Sequence, residues 1–305
     1  MNDCTFVLVT RKTRLQELVE RFNSWAQAKF YLEHNQVNVQ DYLDENVRYQ
    51  SQIQEAESVL RTLGRFQRIE RTMLTSYQFG KTDIVVVIGQ DGLVANTLKY
   101  LDRQPLIAIN PDPKRWDGIL LPFELGQLKE VVSKTVKGNS SSKDITLAQA
   151  STNDGQVLYA VNDLFIGPKS HTSARYAIRW NNIQEVQSSS GIIVSTGLGS
   201  SGWLQSILTG VIGVSGATNQ AKTQIFDWSE ERLKFAVREP FPSQTTGTSC
   251  VYGDIPRNQP LNLESYMPEN GVIFSDGIED DYIRFNSGCL ATIKVADRKG
   301  LLITN

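Results

Sequence analysis

Histidine and cysteine are scarce in this chain. His34 and His171 are the only histidines among 305 residues, so a hydrolase built on a histidine base has at most two candidates, which argues against a hydrolytic triad. Cys4, Cys250 and Cys289 are odd in number and far apart, a pattern of reduced thiols in a cytoplasm rather than of a disulfide framework or zinc knuckle. No apolar run approaches the roughly 20 residues that cross a bilayer, and the N-terminus lacks a signal peptide's hydrophobic stretch. Net charge is −2 with acids and bases interspersed, so no basic tail points to nucleic acid or a membrane surface. The Walker A pattern Gly-x-x-x-x-Gly-Lys-Ser/Thr is absent, which excludes a P-loop nucleotidase. The expectation is a cytoplasmic protein of two domains, on a soft prior of roughly 150 residues per domain.

Against these absences, one run stands out. Asp83-Ile84-Val85-Val86-Val87-Ile88 is apolar on both faces, as a central parallel strand must be when helices cover both sides. It empties at once into Gly89-Gln90-Asp91-Gly92 and then into a helical pattern from Leu93 to Leu101. Glycines allow a tight turn and close approach to a ligand, and the helix that follows directs free N–H groups toward an anion. Phosphate chemistry is the first reading; the plain alternative is an ordinary strand-to-helix turn with Asp91 as N-cap.

Around this run, Phe6 to Val9 reads as a first strand, Leu15, Leu18, Val19 and Phe22 recur at helical spacing, and Val39 to Leu63 is a longer amphipathic helix. Pro105 to Asn110 supplies the next strand, completing a βαβ unit. Leu125 to Val136 is one more helix, followed by the polar connector Lys137 to Lys143, near which a domain boundary is expected. Short alternating strands dominate from Ile145, with Asn153-Asp154-Gly155 as a hairpin turn and Val157 to Ile166 as the returning strand. Thr209 to Thr223, rich in small residues, reads as a mobile loop, and no internal repeat is evident.

Two further clusters carry chemistry. Gly191 to Thr196 is a strand running into Gly197-Leu198-Gly199-Ser200-Ser201-Gly202, with a helical pattern from Trp203 to Leu208. Its G-x-G-x-x-G spelling is also the dehydrogenase fingerprint, which needs a complete βαβ unit and an acid about 20 residues on. Asn162-Asp163 places an amide beside a carboxylate in an apolar strand, suited to a ribose hydroxyl and a base edge; a polar strand end at a hairpin is the alternative.

Together and in this order, the three clusters resemble the NAD kinase family, which phosphorylates the ribose 2′-hydroxyl of NAD to give NADP. Gly89 to Gly92 is similar to the family's Gly-Gly-Asp-Gly, Asn162-Asp163 to its Asn-Glu, and Ser195 to Trp203 to its Ser-Thr-x-x-Gly-Ser-Thr-Ala-Tyr. The likeness is closest to the mitochondrial-type branch, through Asn110-Pro111-Asp112-Pro113-Lys114-Arg115, Thr196 to Trp203, Ser189-Ser190-Gly191 and Arg238-Glu239-Pro240. Ser275-Asp276-Gly277 resembles the family's closing Asp-Gly hairpin. The likeness runs from Ile84 to the C-terminus. Gln90 stands where the family has its second glycine, Leu93 where it has threonine, and Asp163 where it has glutamate.

The resemblance implies an α/β nucleotide-binding domain over residues 1–124 and a β-rich dinucleotide-binding domain over 125–305, whose tail returns to the first domain, with an active cleft between them. It implies a homodimer. Asp91 would take the proton of the 2′-hydroxyl, with ATP, carrying Mg²⁺, or polyphosphate as donor. Phosphate and nucleotide contacts would come from Gly89, Gly92, Asn110, Thr196, Gly199, Ser200 and Ser201, and dinucleotide contacts from Asn162, Asp163, Ser190 and Trp203. A kinase of another small-molecule hydroxyl, such as a sugar or lipid, and a dinucleotide-binding protein altered at Gln90 stay open beside it.

Overall fold

The computed structural model describes residues 4–216 and 224–305, folded as two compact units. One runs to Lys143 and takes in Leu301–Asn305; the other spans Asp144–Gly300.

The first unit contains β1 (Thr5–Thr10), α1 (Arg14–Phe22), α2 (Trp25–His34), α3 (Val39–Leu63), β2 (Arg65–Glu70), β3 (Ile84–Ile88), α4 (Asp91–Leu98), β4 (Pro105–Ile109) and α5 (Leu128–Val136). Its strands are parallel in the order β2-β1-β3-β4, and Leu301 and Leu302 add a further parallel pairing beside β4. All five residues of β3 are buried. Tyr49, Ile53, Ala56 and Leu60 of α3 and Leu128 and Val132 of α5 pack with Ile84, Val86 and Ile88 on one face. Each of the Ile, Leu and Val side chains contributes roughly 1.5–3 kcal/mol by burial, which fixes the strand whose end carries Asp91. A capping box between Thr13 and Gln16 starts α1, and the Ser24 side chain caps α2. Two elements lie outside the sequence reading: α2, and β2, an edge strand in which Ile69 alone is buried. Leu125–Gln127 is a 3-10 turn that leads into α5.

The second unit comprises β5 (Ser141–Thr152, entered from the first unit), β6 (Val157–Ala160), β7 (Asp163–Pro168), β8 (Ala174–Trp180), β9 (Ile183–Ser189), β10 (Ile192–Ser195), α6 (Trp203–Ser215), β11 (Arg232–Val237), β12 (Tyr252–Pro256), β13 (Leu261–Ser265), β14 (Gly271–Ser275), β15 (Ile278–Arg284) and β16 (Leu290–Thr304). An antiparallel sheet runs β12-β11-β10-β7-β14-β15. A second follows β16-β13-β8-β9, with the β5–β6 hairpin joined at β16. Leu164, Ile166, Ile192, Val194 and Phe235 from one sheet share a core with Tyr176, Ile178, Leu263 and Ile293 from the other.

Two sequence expectations change here. The strand expected from Val157 to Ile166 is broken at Val161-Asn162, because the Asp276 carboxylate draws off the N–H groups of Val161 (3.1 Å) and Asn162 (2.6 Å). The loop expected from Thr209 is helical as far as Ser215, where Gly216 (φ 69°) ends α6 in the left-handed conformation. The remainder of that stretch, 217–223, lies outside the described residues. Among the described residues no helix is long and apolar enough to cross a membrane.

Candidate active site

The first part of the site is the β3–α4 junction. Gln90 has N-cap geometry (φ −112°, ψ 166°) without a side-chain capping bond, and Asp91 is the first residue of α4 rather than its cap. A carboxylate there meets the positive end of the helix dipole and free N–H groups. Half-buried Asp91 also accepts from the main chain of a distant loop, Oδ1 from Leu120 N–H at 2.9 Å and Oδ2 from Ile119 N–H at 3.3 Å. The strand end behind it is braced by Tyr49, whose hydroxyl donates to the Ile88 carbonyl at 2.7 Å and accepts from Arg11 N–H at 3.0 Å. Burial pushes the Tyr49 phenol up to about 12, so it stays a donor. A Cβ on Gly89 would meet the Leu93 side chain at 2.8 Å, whereas Gly92 is exposed with open space beside it.

Asn110, at the end of β4, is buried and both ends of its amide are engaged: Nδ2 donates to the Trp116 carbonyl at 3.0 Å, and Oδ1 accepts from Asp112 N–H at 3.0 Å. These bonds shape its own loop.

The second part belongs to the other unit, where the turn before β7 meets the turn after β10. Thr196 N–H donates to the Asn162 carbonyl at 2.9 Å. A Cβ on Gly199 would lie 2.2 Å from that same carbonyl oxygen and 2.8 Å from Asp163 Oδ1, and one on Gly197 would lie 2.1 Å from the Asp227 carbonyl oxygen. Both glycines are therefore required by close backbone approach. The expected phosphate-binding hydroxyls divide by role. Those of Thr196 and Ser200 are buried and donate inward, to the carbonyls of Val161 (2.5 Å) and Gly197 (2.7 Å). They hold the loop, while Ser201 faces solvent.

Asn162 and Asp163 stand at the start of β7. The Asn162 side-chain amide has no hydrogen-bond partner among the described residues, and Asp163 Oδ1 is likewise shut off from water without one. Burial raises the Asp163 carboxyl to about 7, opposed by the Ser195 hydroxyl and reinforced by the negative charge of Asp276. Asp276, which no ligand pattern marks beyond its place in the Asp-Gly hairpin, sits with Gly277 in the left-handed region (φ 54° and 71°) and orients this pair. Ser190 and Trp203 line a cavity of about 500 Å³ together with Phe165, Phe274, Lys169 and Arg238. Trp203 lies parallel to Phe165 at 5.9 Å, with Arg238 5.7 Å from its ring. Among the described residues no group of three or more His, Cys, Asp or Glu converges as a metal cage.

Each unit thus gathers its own set: Gly89, Asp91 and Gly92 in the first, with Asn110 on the neighbouring strand; Asn162, Asp163, Thr196, Gly199 and Ser200 in the second, with Ser190 and Trp203 at the cavity. The amides of Ile119 and Leu120 and the carboxylate of Asp276 complete these sets; the two amides have no sequence pattern, and the Asp-Gly hairpin marks Asp276 without marking its contacts.

No protein-family model and no curated protein matches the sequence. Solved structures do match. An NAD kinase from Archaeoglobus fulgidus in complex with ATP aligns over 98% of this chain and 94% of that chain, with a TM-score of 0.56 and 15% identity. Yeast NADH kinase complexed with NADH aligns over 100% of this chain and 84% of that one, with a TM-score of 0.60 and 15% identity. The arrangement of a parallel α/β unit and an antiparallel β unit along this chain is an NAD kinase-like fold.

Proposed function

We propose that the protein transfers a terminal phosphoryl group from ATP or polyphosphate to the 2′-hydroxyl of NAD, forming NADP. The observation that carries this reading is the Asp91 carboxylate, set at the mouth of β3 on the first turn of α4 and steadied by two main-chain N–H groups. A ribose hydroxyl is a weak nucleophile until a carboxylate within hydrogen-bond reach accepts its proton. In this reading the 2′-oxygen forms the new O–P bond, its proton passes to Asp91, and the bond from the transferred phosphorus to the leaving phosphate oxygen breaks. Mg²⁺, carried in with the ATP, would supply neutralisation of the charge that develops on transfer.

The second unit supplies dinucleotide recognition. Asn162, half-buried and with no side-chain partner among the described residues, offers its amide to a ribose or base edge with Asp163 beside it, and Ser201 and main-chain amides of its loop serve phosphate oxygens. The aromatic wall of Phe165 and Trp203 suits a planar ring. The solved structures of like fold are named for NAD and NADH kinases, one with ATP and one with NADH, which supports this substrate class. A homodimer and a cytoplasmic location belong to the same proposal.

The test is purified protein incubated with NAD or NADH, ATP or polyphosphate, and Mg²⁺, assayed for the 2′-phosphorylated product. Asp91→Asn is expected to abolish turnover while dinucleotide affinity stays within a few-fold; unchanged turnover removes Asp91 from the mechanism. A thermal shift with NAD but no product from any donor would instead favour a dinucleotide-binding protein, the reading suggested by Gln90 in the phosphate turn.

A further inference from the structure

The loop from Asn110 to Leu121 ends in the two amides that hold Asp91, and it is fastened to α3 rather than to the sheet. Arg115 donates to Asp41 of α3 through both terminal nitrogens, Nη1 to Oδ1 and Nη2 to Oδ2, each at 2.9 Å. This is the planar two-bond fork that fixes direction as well as distance. Asp41 is itself gripped by Arg14 at 2.8 Å, and these guanidinium contacts, Arg115 first, hold its carboxyl below the usual carboxylate range. Earlier in the loop, Arg48 pairs with Asp112 and Gln52 donates to the Pro111 carbonyl at 2.7 Å. Arg115 is thus the last side-chain attachment to α3 before Ile119 and Leu120.

Downstream, the loop has little freedom. Gly118 is left-handed (φ 63°), a Cβ there would lie 2.6 Å from Asn110 Nδ2, and that same nitrogen donates to the Trp116 carbonyl. Meanwhile α3 is bolted to the end of β3 through the Tyr49 hydroxyl and the Ile88 carbonyl. The connections therefore close a ring: β3 to α3, α3 through Asp41 to Arg115, Arg115 along the loop to Leu120, and Leu120 N–H back to Asp91.

We propose that Arg115, acting through Asp41 and the 110–121 loop, is the positioning residue for the Asp91 carboxylate. The proposal rests on the reading of Asp91 as proton acceptor, and its role is geometric. An exposed ion pair adds little stability, but displacement of a reacting group by an ångström costs on the order of a hundredfold in rate.

Amide hydrogen exchange and steady-state kinetics on the whole chain test it. Arg115→Ala is expected to speed exchange of the Leu120 amide at least tenfold while Val86 and Val194 keep their protection, and to lower kcat at least tenfold with KM for NAD within twofold. Arg115→Lys, which keeps the charge and loses the fork, should fall between. Unchanged Leu120 exchange in both variants overturns the proposal, as does a uniform rise that includes Val86, or a KM effect with kcat intact. If the wild-type protein makes no NADP, the kinase reading fails, while the exchange result still decides whether Arg115 holds Leu120 on Asp91.

Discussion

The Thr196 hydroxyl donates to the carbonyl of Val161 at 2.5 Å and accepts the N–H of Gly199 at 3.2 Å, joining two loops that lie 35 residues apart. Both bonds are buried. Thr196→Val keeps the shape and removes the hydroxyl, leaving a carbonyl and an amide without partners. Loss of about 1–3 kcal/mol is expected, read as a lower urea midpoint at constant slope. Thr196→Ser should recover most of it. Unchanged stability in Thr196→Val would show that the two hydroxyl bonds do not hold the loops together.

Gly199 and Gly92 both lie where a strand gives way to a helical turn, yet their surroundings predict opposite signs. A Cβ on Gly199 would press on the Asn162 carbonyl oxygen at 2.2 Å and its carbon at 2.6 Å, backbone atoms that cannot swing aside. Gly199→Ala is expected to destabilise by about 1–3 kcal/mol and to weaken dinucleotide binding. Gly92 lies in the first turn of α4 with nothing within 4 Å of the place a Cβ would take, so Gly92→Ala should gain roughly 0.5–1 kcal/mol. Paired urea titrations decide between the signs.

What the sequence made legible follows from how local each cause is. Five successive apolar residues from Ile84 to Ile88 mark a strand buried on both faces, and Val39 to Leu63 marks α3 by its stripe of apolar positions. In α2 only Ala28 and Leu32 are buried while Phe30 and Tyr31 stay exposed, so no single stripe announces it. β2 buries Ile69 alone and lacks alternation. The break between β6 and β7 is made by Asp276, more than a hundred residues away. The same reason hides the site's supports: Leu120 reaches Asp91 through its backbone, which has no side-chain signature. Residue type alone marks Thr196, Ser200 and Ser201 as hydroxyl donors, while the direction each hydroxyl takes is set by the fold: the 3-10 turn at Gly199–Ser201 buries Ser200 and leaves Ser201 in solvent.

Gln90 occupies extended backbone that any residue adopts, so its glycine counterpart in the resembling family is not needed here for a positive φ. Its side chain makes no capping bond. Gln90→Gly should leave unfolding stability within about 1 kcal/mol, the cost being the added backbone entropy of glycine. Phosphoryl transfer is expected to stay equal or rise, because the turn's amides become more accessible. A collapse in rate would give the Gln90 side chain a direct part in holding substrate.

Asp163 links stability to pH. Its carboxyl titrates at about 7 in the folded chain because burial penalises the charge, against about 3.9 for an aspartate in an unfolded peptide. The folded state thus binds the proton more tightly, and the resulting stabilisation is complete below about pH 4, declines as pH rises, and is gone above about pH 7. Asp163→Asn cannot ionise. Urea unfolding from pH 4 to pH 8 should therefore show wild-type losing stability relative to this variant, by up to a few kcal/mol, with most of the loss complete by pH 7. Parallel stability profiles for the two proteins across that range would mean that Asp163 ionises as an ordinary carboxylate, and that the Ser195 hydroxyl outweighs its burial.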